Sequence, residues 1–194
     1  MTQRRPLKSL VAACAAGTVA ILLTGCSTSG RGTGDQGYVS GNGTVTTIAK
    51  ADREPAPEVS GTSLDGKPLA TADYPGQPIV LNVWGSWCAE CREERADLEA
   101  AWRQLSKHDV QFIGIDTRDN MGSARSYVRT AGITYPSIFD PDGQTLLGFR
   151  GTVSPSAIPS TIVLDTQHRV AARILGPITK TTLIELVHDV ADES

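Results

Sequence analysis

The stretch Val80-Leu81-Asn82-Val83-Trp84-Gly85-Ser86-Trp87-Cys88-Ala89-Glu90-Cys91-Arg92-Glu93-Glu94 changes character at its middle. From Ile79 to Trp84 it is β-rich, which predicts a buried central strand. From Cys88 to about Lys107 the pattern is helical, with Leu98, Ala101, Trp102 and Leu105 recurring at three- and four-residue spacing. The two cysteines of a C-x-x-C pair therefore stand where a strand ends and a helix begins.

That position carries chemistry. Free backbone N–H groups and the positive end of the helix dipole stabilise a thiolate at Cys88. Cys91 lies one turn along the same face, so the two sulfurs can close a small disulfide. A partly exposed Cys88 would attack a substrate disulfide, Cys91 would resolve the mixed disulfide, and Trp87 would shield one side of the pair. A zinc site needs about four ligands, and His108, His168 and His188 show no ligand spacing around the single pair. A structural staple is the other alternative. Its stabilisation grows with the length of the loop it closes, so a three-residue span is poor for that purpose. The strand-to-helix position favours a redox pair over both alternatives.

Outward from this stretch the chain alternates strands and helices. Val59 to Leu64 and Lys67 to Leu69, around the turn Asp65-Gly66, predict a small hairpin. Val110 to Ile115 reads as a strand, Ser123 to Ala131 as a helix ended by Gly132, and Thr145 to Phe149 as a short helix. Thr161 to Leu164 and Val170 to Leu175 read as an antiparallel hairpin, and Thr179 starts a final helix. This order predicts an α/β domain with a mixed central sheet covered on both faces.

The N-terminus is different. Arg4, Arg5 and Lys8 precede an apolar run from Leu10 to Leu23, interrupted by Gly17 and Thr18. A charged start, a short apolar core and a small-residue junction predict an export signal over residues 1–25. The run is short of the ~20 apolar residues of a membrane span, although an uncleaved anchor is the rival reading. The junction Leu23-Thr24-Gly25-Cys26 resembles a bacterial lipobox, which implies that Cys26 is acylated and becomes the mature N-terminus. Two acyl chains there would anchor the protein stably. Arg4-Arg5 weakly resembles a twin-arginine signal. Residues 26–53, rich in Gly, Ser and Thr as far as Thr47, read as a flexible tether, and residues 54–194 as the folded domain. Loss of residues 1–25 removes three cations and no acid, which moves the net charge from −3 to −6. No basic patch points to nucleic acid. Cys14 leaves with the signal and lipid occupies Cys26, so only Cys88 and Cys91 remain as thiols.

The run from Val80 to Glu94, with W-x-x-W-C-x-x-C and an acid three residues after the second cysteine, resembles the membrane-anchored reductases of the TlpA/ResA/DsbE group. The late Pro159-Ser160-Thr161 before a strand agrees, and the likeness spans about residues 55–192. It implies a thioredoxin-like fold with an added N-terminal β-hairpin. It also implies a cis Ile158–Pro159 bond facing the disulfide, with Trp87, Ile158 and Pro159 contacting substrate. Proline is the residue that tolerates cis at low cost, and its lack of an N–H leaves the Ile158 backbone free to pair with an extended chain. Glu94 matches the group's active-site glutamate, a carboxyl able to exchange a proton with Cys91. Glu93 reads as a solvated helix residue. Glu90 stands where the group commonly has proline before the second cysteine, and Ala96 where it often has another proline.

The resemblance implies a monomeric reductant of exported disulfides, with the C-x-x-C-H haem site of apocytochrome c a frequent substrate. Electrons would come from a membrane thiol transporter of the DsbD/CcdA type. No cofactor is expected beyond the disulfide itself, and no metal. The residues oppose three other functions. A disulfide-forming oxidant would need a stabilised thiolate, which the charges of Glu90 and Glu94 oppose. A thiol peroxidase would carry Thr or Ser where Gly85 stands. A metal-delivery module would want a wider cysteine pair with a histidine.

Overall fold

The structure, a computed structural model, describes residues 38–40 and 43–193. The expected export signal, Cys26 and the first part of the expected tether lie outside the described residues.

Among the described residues nine strands form two sheets. β1 (Tyr38–Ser40), β2 (Gly43–Thr47), β5 (Ile79–Trp84), β6 (Gln111–Thr117), β7 (Ser137–Asp140), β8 (Ser160–Leu164) and β9 (Val170–Leu175) make a seven-stranded sheet. Its order is β1-β2-β9-β8-β5-β6-β7. β5, β6 and β7 run parallel, while β8, β9, β2 and β1 add antiparallel on the other side of β5. The expected hairpin forms as β3 (Ser60–Thr62) and β4 (Pro68–Ala70). Gly66 turns it at φ +82°, a conformation natural to glycine. It docks on the outer edge of β7, where Leu64 N–H donates to the Ser137 carbonyl.

The predicted central strand is β5, and all six of its residues are buried. It has a partner on each edge and apolar cover on each face, which is why its sequence does not alternate. One face packs under α1 (Ala89–Leu105), α2 (Met121–Ala131) and α3 (Lys180–Asp192), through Val80, Leu98, Leu105, Phe112, Leu183 and Val187. The other face, with Ile79, Leu81, Val83, Ile113 and Ile115, is covered by Val59 and Leu69 and by Leu146, Phe149 and Val153. Leu146 and Phe149 come from the short 3-10 helix Thr145–Phe149, as predicted. Helix ends follow their local signals. Asn120 caps α2 through Gly122 and Ser123, Gly132 ends it in the left-handed region, and Thr179 caps α3.

The tether expectation for residues 26–53 is corrected over its second part. β2 pairs with β9, from Thr44 opposite Leu175 to Thr47 opposite Ala172, and Val45 is buried in the core. Arg53 is buried and ion-paired with Asp165 at 3.4 Å. Low apolar content hid this segment. An edge strand is held by ladder hydrogen bonds, and one buried β-branched residue suffices to dock it. β7 was also not expected, being four residues long and directly after Pro136.

Candidate active site

Cys88 and Cys91 form a disulfide with Cα atoms 5.3 Å apart. Cys88 is the N-cap of α1, and its sulfur accepts a hydrogen bond from the Cys91 N–H at 3.1 Å. The strand-to-helix reading of the pair is therefore realised in detail. Its exposure is not. Cys88 is 4% exposed and Cys91 3%, so in this state the expected partly exposed sulfur is covered. Both sit in an apolar cluster with Leu64, Trp84 and Ala124, against which Met121, Tyr127, Val128, Phe139 and Ile158 pack. The Tyr127 hydroxyl donates to the Cys91 carbonyl at 3.4 Å, and its ring lies 5.4 Å from that of Trp84.

The loop before Cys88 is held on three sides. Asp119 accepts from the Ser86 N–H at 2.5 Å and from its hydroxyl at 3.0 Å. The Arg92 guanidinium donates to the Ser86 carbonyl. Trp87 donates its indole N–H to the Thr117 carbonyl at 3.2 Å while remaining 51% exposed. A Cβ on Gly85 would lie 2.5 Å from the Trp87 indole nitrogen, so that close approach requires glycine. The indole thus folds back over its own loop and leaves a large apolar surface open beside the pair.

Ile158–Pro159 is cis. Ile158 is half-buried and touches the disulfide's cluster, so the late loop and the C-x-x-C meet, as the resemblance implied. Neither the N–H nor the carbonyl of Ile158 has a backbone partner among the described residues. Beyond this loop lies an open pocket of about 380 Å³, lined by Arg150, Thr152, Val153, Pro155, Arg173 and Leu175 among others.

Glu94 is 2% exposed. Asn82 donates to its Oε1 at 3.0 Å and the Ile178 N–H donates to its Oε2 at 3.2 Å. Burial outweighs these two donors and, with the charge of Asp97, pushes the carboxyl up to about 7. It can therefore give or take a proton at neutral pH. Glu93 and Glu90 are exposed, as read for Glu93 from the sequence.

The structure adds residues that the sequence reading passed over. Asn82 contacts Thr161 Oγ1 at 3.3 Å as well as Glu94, and accepts from the Tyr135 hydroxyl at 3.5 Å. One polar side chain inside the apolar run Ile79–Trp84 was the available signal. Asp119 is a half-buried loop residue with no such signal. His108 and His188, far apart in sequence, bring their rings within 6.3 Å. Among the described residues no three His, Cys, Asp or Glu side chains are grouped to hold a metal ion. No helix among them is long and apolar enough to cross a membrane.

Residues 53–173 match the AhpC/TSA family. A thiol-disulfide oxidoreductase ResA from Bacillus thuringiensis (strain Al Hakam) is 29% identical over 128 residues, 66% of this chain and 72% of that one. The crystal structure of a DsbF homologue from Corynebacterium diphtheriae shares 38% identity at TM-score 0.71, covering 78% of this chain and 96% of its own. A secreted thiol-disulfide isomerase from Corynebacterium glutamicum shares 35% identity at TM-score 0.73, covering 80% and 97%.

Proposed function

The chain belongs to the AhpC/TSA family and is a thiol–disulfide oxidoreductase of thioredoxin-like fold, and on that premise we propose that it reduces disulfides in exported proteins, apocytochrome c among them. The observation that carries this reading is the buried Glu94 carboxyl on the same helix as the cysteine pair. A negative charge there disfavours a neighbouring thiolate. A destabilised thiolate makes the reduced pair a better electron donor.

In the proposed cycle Cys88 attacks one sulfur of the substrate disulfide. A Cys88–substrate bond forms, the substrate S–S bond breaks, and the departing substrate thiolate takes a proton. Cys91 then gives its proton to Glu94 and attacks Cys88 Sγ. The Cys88–Cys91 bond closes, two electrons pass to the substrate, and its second sulfur leaves as a thiolate that takes the proton back from Glu94. Trp87 and the Ile158–Pro159 segment bind the substrate chain, with the unpaired Ile158 backbone offering ladder hydrogen bonds. A membrane thiol transporter of the DsbD/CcdA type returns the electrons. Export on the signal of residues 1–25, acylation at Cys26 and a monomeric state on the extracytoplasmic membrane face complete the proposal. It is supported by the lipobox-like Leu23-Thr24-Gly25-Cys26 and by the two unlipidated thiols standing as one pair.

The deciding experiment is the equilibrium of the Cys88–Cys91 pair against a defined thiol buffer. A potential near that of thioredoxin, about −270 mV, is expected for a reductant. A value near about −120 mV would assign the chain to disulfide formation instead.

A further inference from the structure

The sheet face that carries the disulfide holds a second buried acid. Asp116, near the end of β6, is in register with Trp84 of β5 and Phe139 of β7. Directly paired residues of neighbouring strands present their side chains on one face. Trp84 and Phe139 both belong to or pack on the cluster that encloses Cys88 and Cys91. Asp116 is fully buried, neither of its carboxyl oxygens accepts from an N–H or hydroxyl donor among the described residues, and it faces the carboxyl of Asp119. An ionised carboxylate in that place has neither exposure to solvent nor a donor among the described residues to hold its charge.

Its surroundings add no compensation. Asp119, on the loop before α2, and Asp140, at the end of β7, both oppose its ionisation by their negative charge. From α2 the cluster receives Met121, Ala124, Tyr127 and Val128, while Arg125 on that helix is engaged with the Leu64 carbonyl. From α1 it receives the two cysteines. None of the ion pairs among the described residues includes Asp116. Burial first, then the charge of Asp119 and a proton shared between the two carboxyls, push its carboxyl up to about 8.

We propose that Asp116 is a proton-linked group of the redox centre, a buried carboxyl whose charge state is coupled to that of the cysteine pair through their shared apolar cluster. A dithiol donor breaks the Cys88–Cys91 bond and leaves two electrons on the sulfurs, so one sulfur takes a proton and Cys88 is left as a thiolate where its own acidity allows. That new charge appears in the cluster and makes Asp116 harder to ionise. Linkage makes the effect reciprocal, so an ionised Asp116 makes the thiolate harder to form. At pH 6 Asp116 is neutral in both redox states and the coupling is silent. Above its ionisation in the disulfide form, reduction becomes less favourable than in a chain without this acid. Glu94 is a separate group, held by Asn82 and the Ile178 N–H.

The test is the equilibrium constant of the full-length protein against glutathione from pH 6 to 10, for the wild type and Asp116→Asn. The expected ratio of variant to wild type is flat below pH 7, then rises about 3-fold or more by pH 9.5, the variant being reduced more readily. A ratio constant over the whole range is what a purely structural side chain gives, and it overturns the proposal. A carbon-13 carboxyl titration of the wild type needs no variant to fold. Asp116 is expected to titrate in the disulfide form close to its raised value and higher still after reduction. A midpoint in the ordinary carboxylate range, or one unchanged by reduction, overturns it as well.

Discussion

Asn82 and Glu94 belong to different elements and meet across 3.0 Å, the Asn82 amide donating to Glu94 Oε1 where β5 passes beneath the second turn of α1. The Ile178 N–H, just before α3, donates to the other oxygen. Two donors thus fix the carboxyl in place, yet burial keeps it protonatable near neutral pH. Fixed position together with available proton is what a group exchanging a proton with Cys91 requires.

Glu94→Gln is expected to remove a step near pH 7 from the pH dependence of disulfide reduction. It also changes stability in a defined direction. The folded carboxyl at about 7 lies above its ordinary 4.5, so the folded state holds the proton more tightly than the unfolded chain. Stability from this group is therefore fully present below pH 4.5 and is lost as pH rises to about 7. Urea midpoints at pH 4.5 and 8 should show the wild type losing on the order of 3 kcal/mol more than Glu94→Gln. Parallel pH dependences in the two proteins would make Glu94 a bystander.

Replacement of the cysteines separates their roles. Cys88→Ser is expected to abolish reduction of a disulfide substrate. Cys91→Ser is expected to accumulate a mixed disulfide, seen by mass under non-reducing conditions, because attack proceeds and resolution does not. Full turnover by Cys88→Ser would rule out the proposed order of attack.

Asp119 holds Ser86 through two hydrogen bonds, and Ser86 opens the loop into Cys88. Asp119→Ala leaves a half-buried N–H and hydroxyl without this partner. The expected cost is about 1–3 kcal/mol, read as a lower Tm in the oxidised protein. Ser86→Ala, which loses only the hydroxyl contact, should cost less. Equal losses from both would mean that the backbone contact contributes nothing.

β2 covers the edge of β9 and buries Val45. Val45→Asp places a charge in the core between the sheet and α3, and is expected to lower stability by about 3 kcal/mol or more. A chain starting at Ile48 should likewise melt below one starting at Ser40. Identical melting of the two would restore residues 40–47 to the tether.

The redox pair, the central strand, the helix that follows and the β3–β4 hairpin were all legible in the sequence. Each depends on contacts a few residues apart. A C-x-x-C at a strand-to-helix junction has the same meaning in any surrounding, because the helix N-terminus, the dipole and the one-turn spacing are local. The late proline was legible only through resemblance, since nothing at Ile158-Pro159 by itself says that it lies beside residue 88. What tertiary structure decided was everything that depends on partners far along the chain. Burial of Glu94 required Asn82 and Ile178 to arrive from another strand and another loop. Burial of Asp116 required Trp84 and Phe139 on either side. The docking of β2 required an open edge on β9, which the composition of residues 43–47 cannot reveal. A carboxyl's proton affinity and an edge strand's stability are properties of the neighbours, and those neighbours exist only once the sheet has set its order and register.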